Sequence, residues 1–290
     1  MRFTWKIGGE AGFGIMTTGF LFSKIASRLG YQILDYVEYP SLVRGGHNAY
    51  EVCVSDKEVT ALDKNIDLLV CLNQETFEKH KHRLTSKSIV IYDNEEFDFQ
   101  DDFLKVNLPF KKIISSLQGQ AVMKNTVALG ASVGILGGEV KILLDLISEQ
   151  FEKKGEAVVS FNQQFAQAGY DEVKKNYPHL IKEYFLEKKE KKDQLVITGN
   201  DAFSLAAVAA DCRFYAAYPM TPSSSVLTNL ASWQDKTGMI VRHAEDEISV
   251  INTALGASFA GVRSAVGTSG GGFALMVESL SFAGVAEIPV

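Results

Sequence analysis

Cysteine is scarce and scattered. The 290 residues hold three, Cys53, Cys71 and Cys212, and no two of them share a CxxC spacing. That excludes a zinc ribbon, a disulfide framework and an iron–sulfur cluster held by this chain alone. It fits a reducing, cytoplasmic setting. No apolar stretch is long enough to span a bilayer, and the N-terminus, MRFTWKIGGEAGFG, lacks the basic-then-apolar layout of a secretory signal. Positive charge is in deficit. Lys and Arg number 29 against 35 Asp and Glu, a net charge of −6, so neither nucleic acid nor a membrane is an expected partner. Proline is rare as well, six in all, yet two of the six bracket one threonine in YPMTPSSS, residues 218–225.

What is present points to an α/β protein. At 46% apolar and 22% charged residues the chain has enough to bury about two cores. The stretch 2–9 reads as a strand, 15–29 as an amphipathic helix stopped by Gly30, and 31–39 and 48–56 as strands. Residues 66–72 and 87–93 are continuous apolar runs of the kind buried in a parallel sheet. Residues 182–193 are the compositional break, a charged linker between a domain at 1–181 and another at 194–290. Beyond it the alternation restarts. Strands are expected at 195–199, 213–219, 239–245 and 262–269, with helices at 201–212 (Asp201 as N-cap), 224–238 and 247–261. A GGG turn, a helix from Phe273 and an apolar strand at 285–290 follow, and that final uncovered strand suggests a fragment. Successive βα units imply a parallel sheet with right-handed crossovers.

In such a sheet ligands bind beyond the carboxyl ends of the strands. Three unusual sequences fall at three such ends: YPMTPSSS, HAEDE (243–247) and TSGGG (268–272). Thr221 is a hydroxyl held between two φ-restricted prolines, while Ser223 and Ser224 are candidate helix caps. Glu245 and Asp246 suit a helix N-terminus. Glu247 leads directly into an apolar face, where burial disfavours the charged form and fits a carboxyl to hydrogen-bond or protonate a ligand nitrogen. The glycines after Ser269 let backbone approach a ligand. In the first half, GGEAGFG (8–14) spaces Gly9, Gly12 and Gly14 differently from GxGxxG, though Asp35 would suit a ribose-binding acid. Arg44 and His47 in RGGHN suit a phosphate or a partner. His80 and His82, two apart on one helix, read as surface residues.

These residues resemble a known family. YPMTPSSS, EDEISVINTALGASFAG and TSGGGFALM are similar to the pyrimidine-binding domain of thiamine-diphosphate-dependent 2-oxoacid:ferredoxin oxidoreductases. GGEAGFG, YPSLVRGGHNAYEVCVSD and MKNTVALGA (123–131) resemble the gamma domain of the same family. A gamma domain fused ahead of the pyrimidine-binding domain resembles the alpha subunit of the 2-oxoglutarate type, here incomplete at the C-terminus. The resemblance implies an α/β gamma-type domain followed by a parallel-sheet pyrimidine-binding domain. It implies that Glu247 holds the aminopyrimidine and that Thr221 faces the thiazolium and substrate. Tyr218, Pro219, Ser269 and Gly270 would line the cofactor, while Gly9, Gly12, Gly14 and Arg44 would contact phosphate or a partner. It further implies coenzyme A as co-substrate, ferredoxin as electron acceptor, and a beta subunit carrying Mg²⁺, the diphosphate and the iron–sulfur cluster; no metal is expected on this chain. A reading of another class makes GGEAGFG and Asp35 a non-catalytic nucleotide-binding module, and a third makes the first domain an assembly interface.

Overall fold

Side chains along β1 (Arg2–Glu10) alternate between two faces. Phe3, Trp5 and Ile7 are fully buried on one of them, where Trp5 stacks on Phe22 of α1 (Ile15–Arg28), ring centroids 4.2 Å apart. Trp5 Nε1 donates to Ser132 Oγ at 3.0 Å, which satisfies the one polar atom that this ring carries inside. Five further strands flank β1: β2 (Gln32–Glu38), β3 (His47–Ser55), β4 (Leu68–Cys71), β5 (Ile89–Tyr92) and β6 (Leu104–Asn107). Their order is β2-β3-β1-β4-β5-β6, with β3 antiparallel to both β1 and β2 and the remaining pairs parallel. The core on the Trp5 face is filled from α1, α3 (Phe110–Ser116), α4 (Lys124–Ile135), α5 (Val140–Phe151) and α6 (Glu156–Asn176). On the opposite face α2 (Gln74–His80) brings Phe77 against Tyr92, Phe97 and Phe99.

That second face also carries buried charge. Lys6 is fully buried, directly across the strand pair from Glu51, and its Nζ donates to Glu51 Oε2 at 2.9 Å and to Glu38. Arg83 closes on both Glu51 oxygens, at 2.6 and 2.7 Å. Burial alone would raise the Glu51 carboxyl; the Arg83 fork and Lys6 outweigh it and hold the group below its usual range.

The structure, a computed structural model, describes residues 1–38, 46–180, 186–190 and 194–290, and they fall into two units, Met1–Val196 and Ile197–Val290. The second unit is built from α7 (Gly199–Ala209), β7 (Phe214–Ala217), α8 (Ser224–Thr237), β8 (Ile240–His243), α9 (Glu247–Phe259), β9 (Ser264–Gly267) and α10 (Gly270–Val285). Its three strands are parallel in the order β8-β7-β9. Tyr215 faces Val226 and Leu230 of α8 on one side, and Ala216 faces α9 and α10 on the other, so the sheet is covered on both faces.

Several expectations change here. Residues 195–198 form no strand: Leu195 is 82% exposed, and the sheet pairs only three strands. Thr198, not Asp201, is the N-cap of α7; Asp201 sits three residues on and completes a reciprocal capping box with it. The glycines 270–272 are not a turn ahead of the helix but its first residues. Residues 286–290 form no strand either, because the Ala286 and Ile288 amides donate back to carbonyls of α10 and close its last turn. Of the expected linker, 186–190 lies along the first unit, with the Leu186 N–H donating to the Leu136 carbonyl and the Lys189 N–H to the Leu29 carbonyl, both at 2.8 Å.

Candidate functional site

Parallel register places Ala217 beside both His243 and Gly267. YPMTPSSS, HAEDE and TSGGG therefore leave the sheet at one rim, as their positions in successive βα units imply. The Ala244 amide continues the pairing by donating to the Ala217 carbonyl at 3.1 Å. On the first loop Tyr218, Pro219, Thr221 and Pro222 are exposed, and the Thr221–Pro222 peptide is cis. Asn200 at the start of α7 ties this loop down, donating to the Pro222 carbonyl at 2.8 Å and to Ser225 Oγ at 2.7 Å. Ser223 occupies the N-cap of α8, but its hydroxyl donates back to the Met220 carbonyl rather than accepting from the helix.

The three acids of HAEDE separate by environment. Glu245 is exposed. Asp246 caps α9, its carboxylate accepting from the Ser249 N–H at 2.7 Å while Ser249 Oγ accepts from the Asp246 N–H. Glu247, the first residue of α9, is 4% exposed, and its Oε1 is buried without a hydrogen-bond partner. Thr268 Oγ1 and the Tyr215 hydroxyl are buried and unpartnered as well. Burial pushes the Tyr215 phenol up to about 12, so it stays a donor. Tyr215 and Thr268 line a cleft of about 540 Å³ with Asn200, Ser223, Phe273 and Met276. A native interior leaves few polar atoms unpaired. Three in one small unit mark a place built to receive polar groups. Ser269 precedes α10 as its N-cap with no side-chain cap bond, and Gly270 opens the helix. Sequence reasoning missed Tyr215 and Thr268; the one available signal, for Thr268 alone, was its place at the head of TSGGG.

In the first unit Gly12 and Gly14 hold positive φ, 97° and 68°, in the turn that opens α1, where L side chains are disfavoured. Gly9 lies inside β1 instead, packed against Leu72 and Ile15. The Ala11 amide donates to the Gly46 carbonyl at 3.0 Å, and Asn125 of MKNTVALGA lies against Gly14, so three sequence motifs share one end of the sheet. Arg44 falls outside the described residues. Asp35 is occupied, accepting from the Tyr50 hydroxyl at 2.6 Å and from Ser23 Oγ at 3.0 Å. With β3 inserted between β1 and β2, the adjacent parallel pair of a dinucleotide-binding unit is also missing. Both findings count against the nucleotide module.

His80 is not a surface residue. It is 5% exposed, and its Nε2 meets His47 Nε2 at 3.2 Å, one ring donating to the other; His82 is exposed. Burial, with Lys6, His47 and Arg83 behind it, pushes the His80 imidazole down to about 3 from its ordinary 6.5, and burial lowers His47 too. Unfolded His80 takes a proton at higher pH than folded His80, so its contribution to stability is complete above 6.5 and is lost as pH falls toward 3. Urea unfolding at about pH 7 and about pH 5 is expected to show a loss that His80→Gln reduces by roughly 1–2 kcal/mol, since one proton is worth about 1.4 kcal/mol per pH unit. An unchanged pH slope in the variant would refute the neutral buried pair.

Residues 4–172 match the family described as pyruvate ferredoxin/flavodoxin oxidoreductase. The chain belongs to that family. Residues 205–290 match its thiamine-diphosphate-binding domain. A 2-oxoacid:ferredoxin oxidoreductase alpha subunit from Sulfolobus sp. is 28% identical over 347 aligned residues, covering 100% of this chain and 53% of that protein. A 2-oxoglutarate synthase subunit of Methanothermobacter thermautotrophicus is 39% identical over 98 residues, 34% of this chain and 26% of that one. The solved 2-oxoglutarate:ferredoxin oxidoreductase from Magnetococcus marinus, with 2-oxoglutarate, coenzyme A and succinyl-CoA bound, superposes with a TM-score of 0.82 at 29% identity, over 95% of this chain and 49% of that chain. The chain thus spans about half the length of the curated relatives that it matches over nearly its whole length. Among the described residues, no helix is long and apolar enough to cross a membrane, and no cluster of three or more His, Cys, Asp or Glu could hold a metal.

Proposed function

We propose that this chain forms the pyrimidine-binding side of a thiamine-diphosphate-dependent 2-oxoacid:ferredoxin oxidoreductase acting on 2-oxoglutarate. The observation that carries the reading is Glu247, a buried carboxyl with an unpartnered oxygen at the rim where three strand ends meet. The rim fits the cofactor: a buried carboxyl able to hold a pyrimidine nitrogen lies, with two hydroxyls, beside a largely apolar cleft. When bound, thiamine diphosphate would supply the carbanion chemistry that decarboxylation of a 2-oxoacid needs. Glu247 holds and exchanges a proton with the pyrimidine ring nitrogen. Thr221, fixed by its proline frame, presents a hydroxyl to the thiazolium and substrate. Tyr218, Pro219, Ser269 and Gly270 shape the walls.

The partner is a beta subunit that holds the diphosphate, Mg²⁺ and an iron–sulfur cluster; coenzyme A takes the acyl group and ferredoxin the electrons. Support for a protein partner comes from α10, apolar except for Glu278, Ser279 and Ser281, which leaves Phe273, Leu275, Val277, Phe282 and Val285 exposed. A helix of that kind is normally covered. We place phosphate or partner contacts of the first unit at Gly9, Gly12 and Gly14, and at Arg44, two residues before the Gly46 whose carbonyl accepts from Ala11. Three buried free thiols suit a reducing cytoplasm.

The full reading frame co-expressed with a beta subunit is expected to reduce a viologen dye only when 2-oxoglutarate and coenzyme A are both present. Activity with another 2-oxoacid instead would correct the substrate. Silence with every 2-oxoacid overturns the proposal.

A further inference from the structure

We infer that Thr268 is the positioning residue of the Glu247 carboxyl and that Gly272 provides the space in which the two meet. The inference rests on the function proposed above and deepens it. Thr268 Oγ1 and Glu247 Oε1 are buried, and neither has a partner. Each such atom costs on the order of 1–3 kcal/mol if left so. Both lie against one point in the first turn of α10. A Cβ on Gly272 would overlap Thr268 Oγ1 and stand 2.6 Å from Glu247 Oε1. Gly272 is itself buried, so a side chain there would have nowhere else to go.

The chemistry of the pair is complementary. A carboxylate only accepts, whereas a threonine hydroxyl donates by rotating about one bond. Thr268 donating to Oε1 would satisfy both atoms and fix the plane of the carboxyl, leaving Oε2 to meet the ligand. The backbone supports this division of labour. Asp246 has taken over the capping of α9, so the Glu247 side chain is not needed there. Thr268 follows directly on Gly267, the last residue of β9, which pairs with Ala217 as Ala217 pairs with His243. A hydroxyl fixed by a strand end orients an acid fixed by a helix start, and both anchors are rigid.

The assembled enzyme, full chain with its partner, would be titrated calorimetrically with thiamine diphosphate and Mg²⁺. Thr268→Val keeps shape and removes the hydroxyl; its affinity is expected to fall about tenfold, the scale of a hydrogen bond to a charged group. Thr268→Ser is expected to restore affinity to within about twofold, which a packing role would not predict. Gly272→Ala should weaken binding at least as much as Thr268→Val. Should that variant fail to fold, the valine and serine pair still decides. Affinity unchanged in Thr268→Val, or serine as poor as valine, overturns the inference. Glu247→Gln separates the two levels: loss there with none in Thr268→Val defeats only the positioning role, whereas no loss in either defeats the proposed function as well.

Discussion

Glu247→Gln is expected to lower 2-oxoacid-dependent turnover of the assembled enzyme by about a hundredfold or more, with the fold intact. Proton transfer by a positioned side chain typically contributes 10²–10⁴-fold, and an amide of the same size cannot exchange the proton. The fold should tolerate the change for a reason visible in the structure. Asp246 makes the cap of α9, and among the described residues Glu247 has no salt-bridge partner whose charge would be stranded. Replacing a buried ionisable group by a neutral amide removes a desolvation cost rather than adding one. Turnover measured beside the thermal midpoint checks both halves. Activity above about a tenth of wild type would move the acid role away from Glu247, and Glu245, exposed at the same rim, would be tested next.

The rim itself was legible before any coordinates. Parallel βα units put all strand ends on one side, so YPMTPSSS, HAEDE and TSGGG had to converge wherever the alternation held. Which acid is buried was only partly legible: the apolar run after Glu247 singled it out from Glu245, but the capping role of Asp246 needed the backbone. Residues 195–198 and 286–290 failed for a common reason. A short apolar run reads as a strand whatever lies beside it, yet a strand exists only when a neighbour accepts its backbone. Neither segment has one here, and the second turns back onto α10. His80 failed differently. Its i, i+2 spacing from His82 describes the helix surface, but not that α2 lays His80 on the sheet face where Lys6 and Glu51 are already buried. Long-range charge pairing of that kind leaves no periodic trace in a sequence.

The other large effect is steric and belongs to the first unit. Helices α4 and α6 approach so closely that a Cβ on Gly130 would overlap the Ala166 carbonyl oxygen, and one on Gly169 would overlap the Val127 carbonyl oxygen. The obstacle in each case is backbone, which cannot rotate away. Both glycines lie in helix interiors, where alanine is the better helix former by about 1 kcal/mol, so local propensity alone predicts stabilisation. Packing predicts the reverse. Separating the helices would open the core that Phe165, Val127 and Val173 fill, and overpacking of this kind costs about 1–3 kcal/mol after the propensity gain is set against it. Gly130→Ala and Gly169→Ala are each expected to destabilise the chain by about 2 kcal/mol in chemical unfolding. Together they should cost less than twice that, because the helix shift that admits the first methyl partly admits the second. A stabilised Gly130→Ala variant would show that propensity wins and that the helices part more easily than their contact suggests.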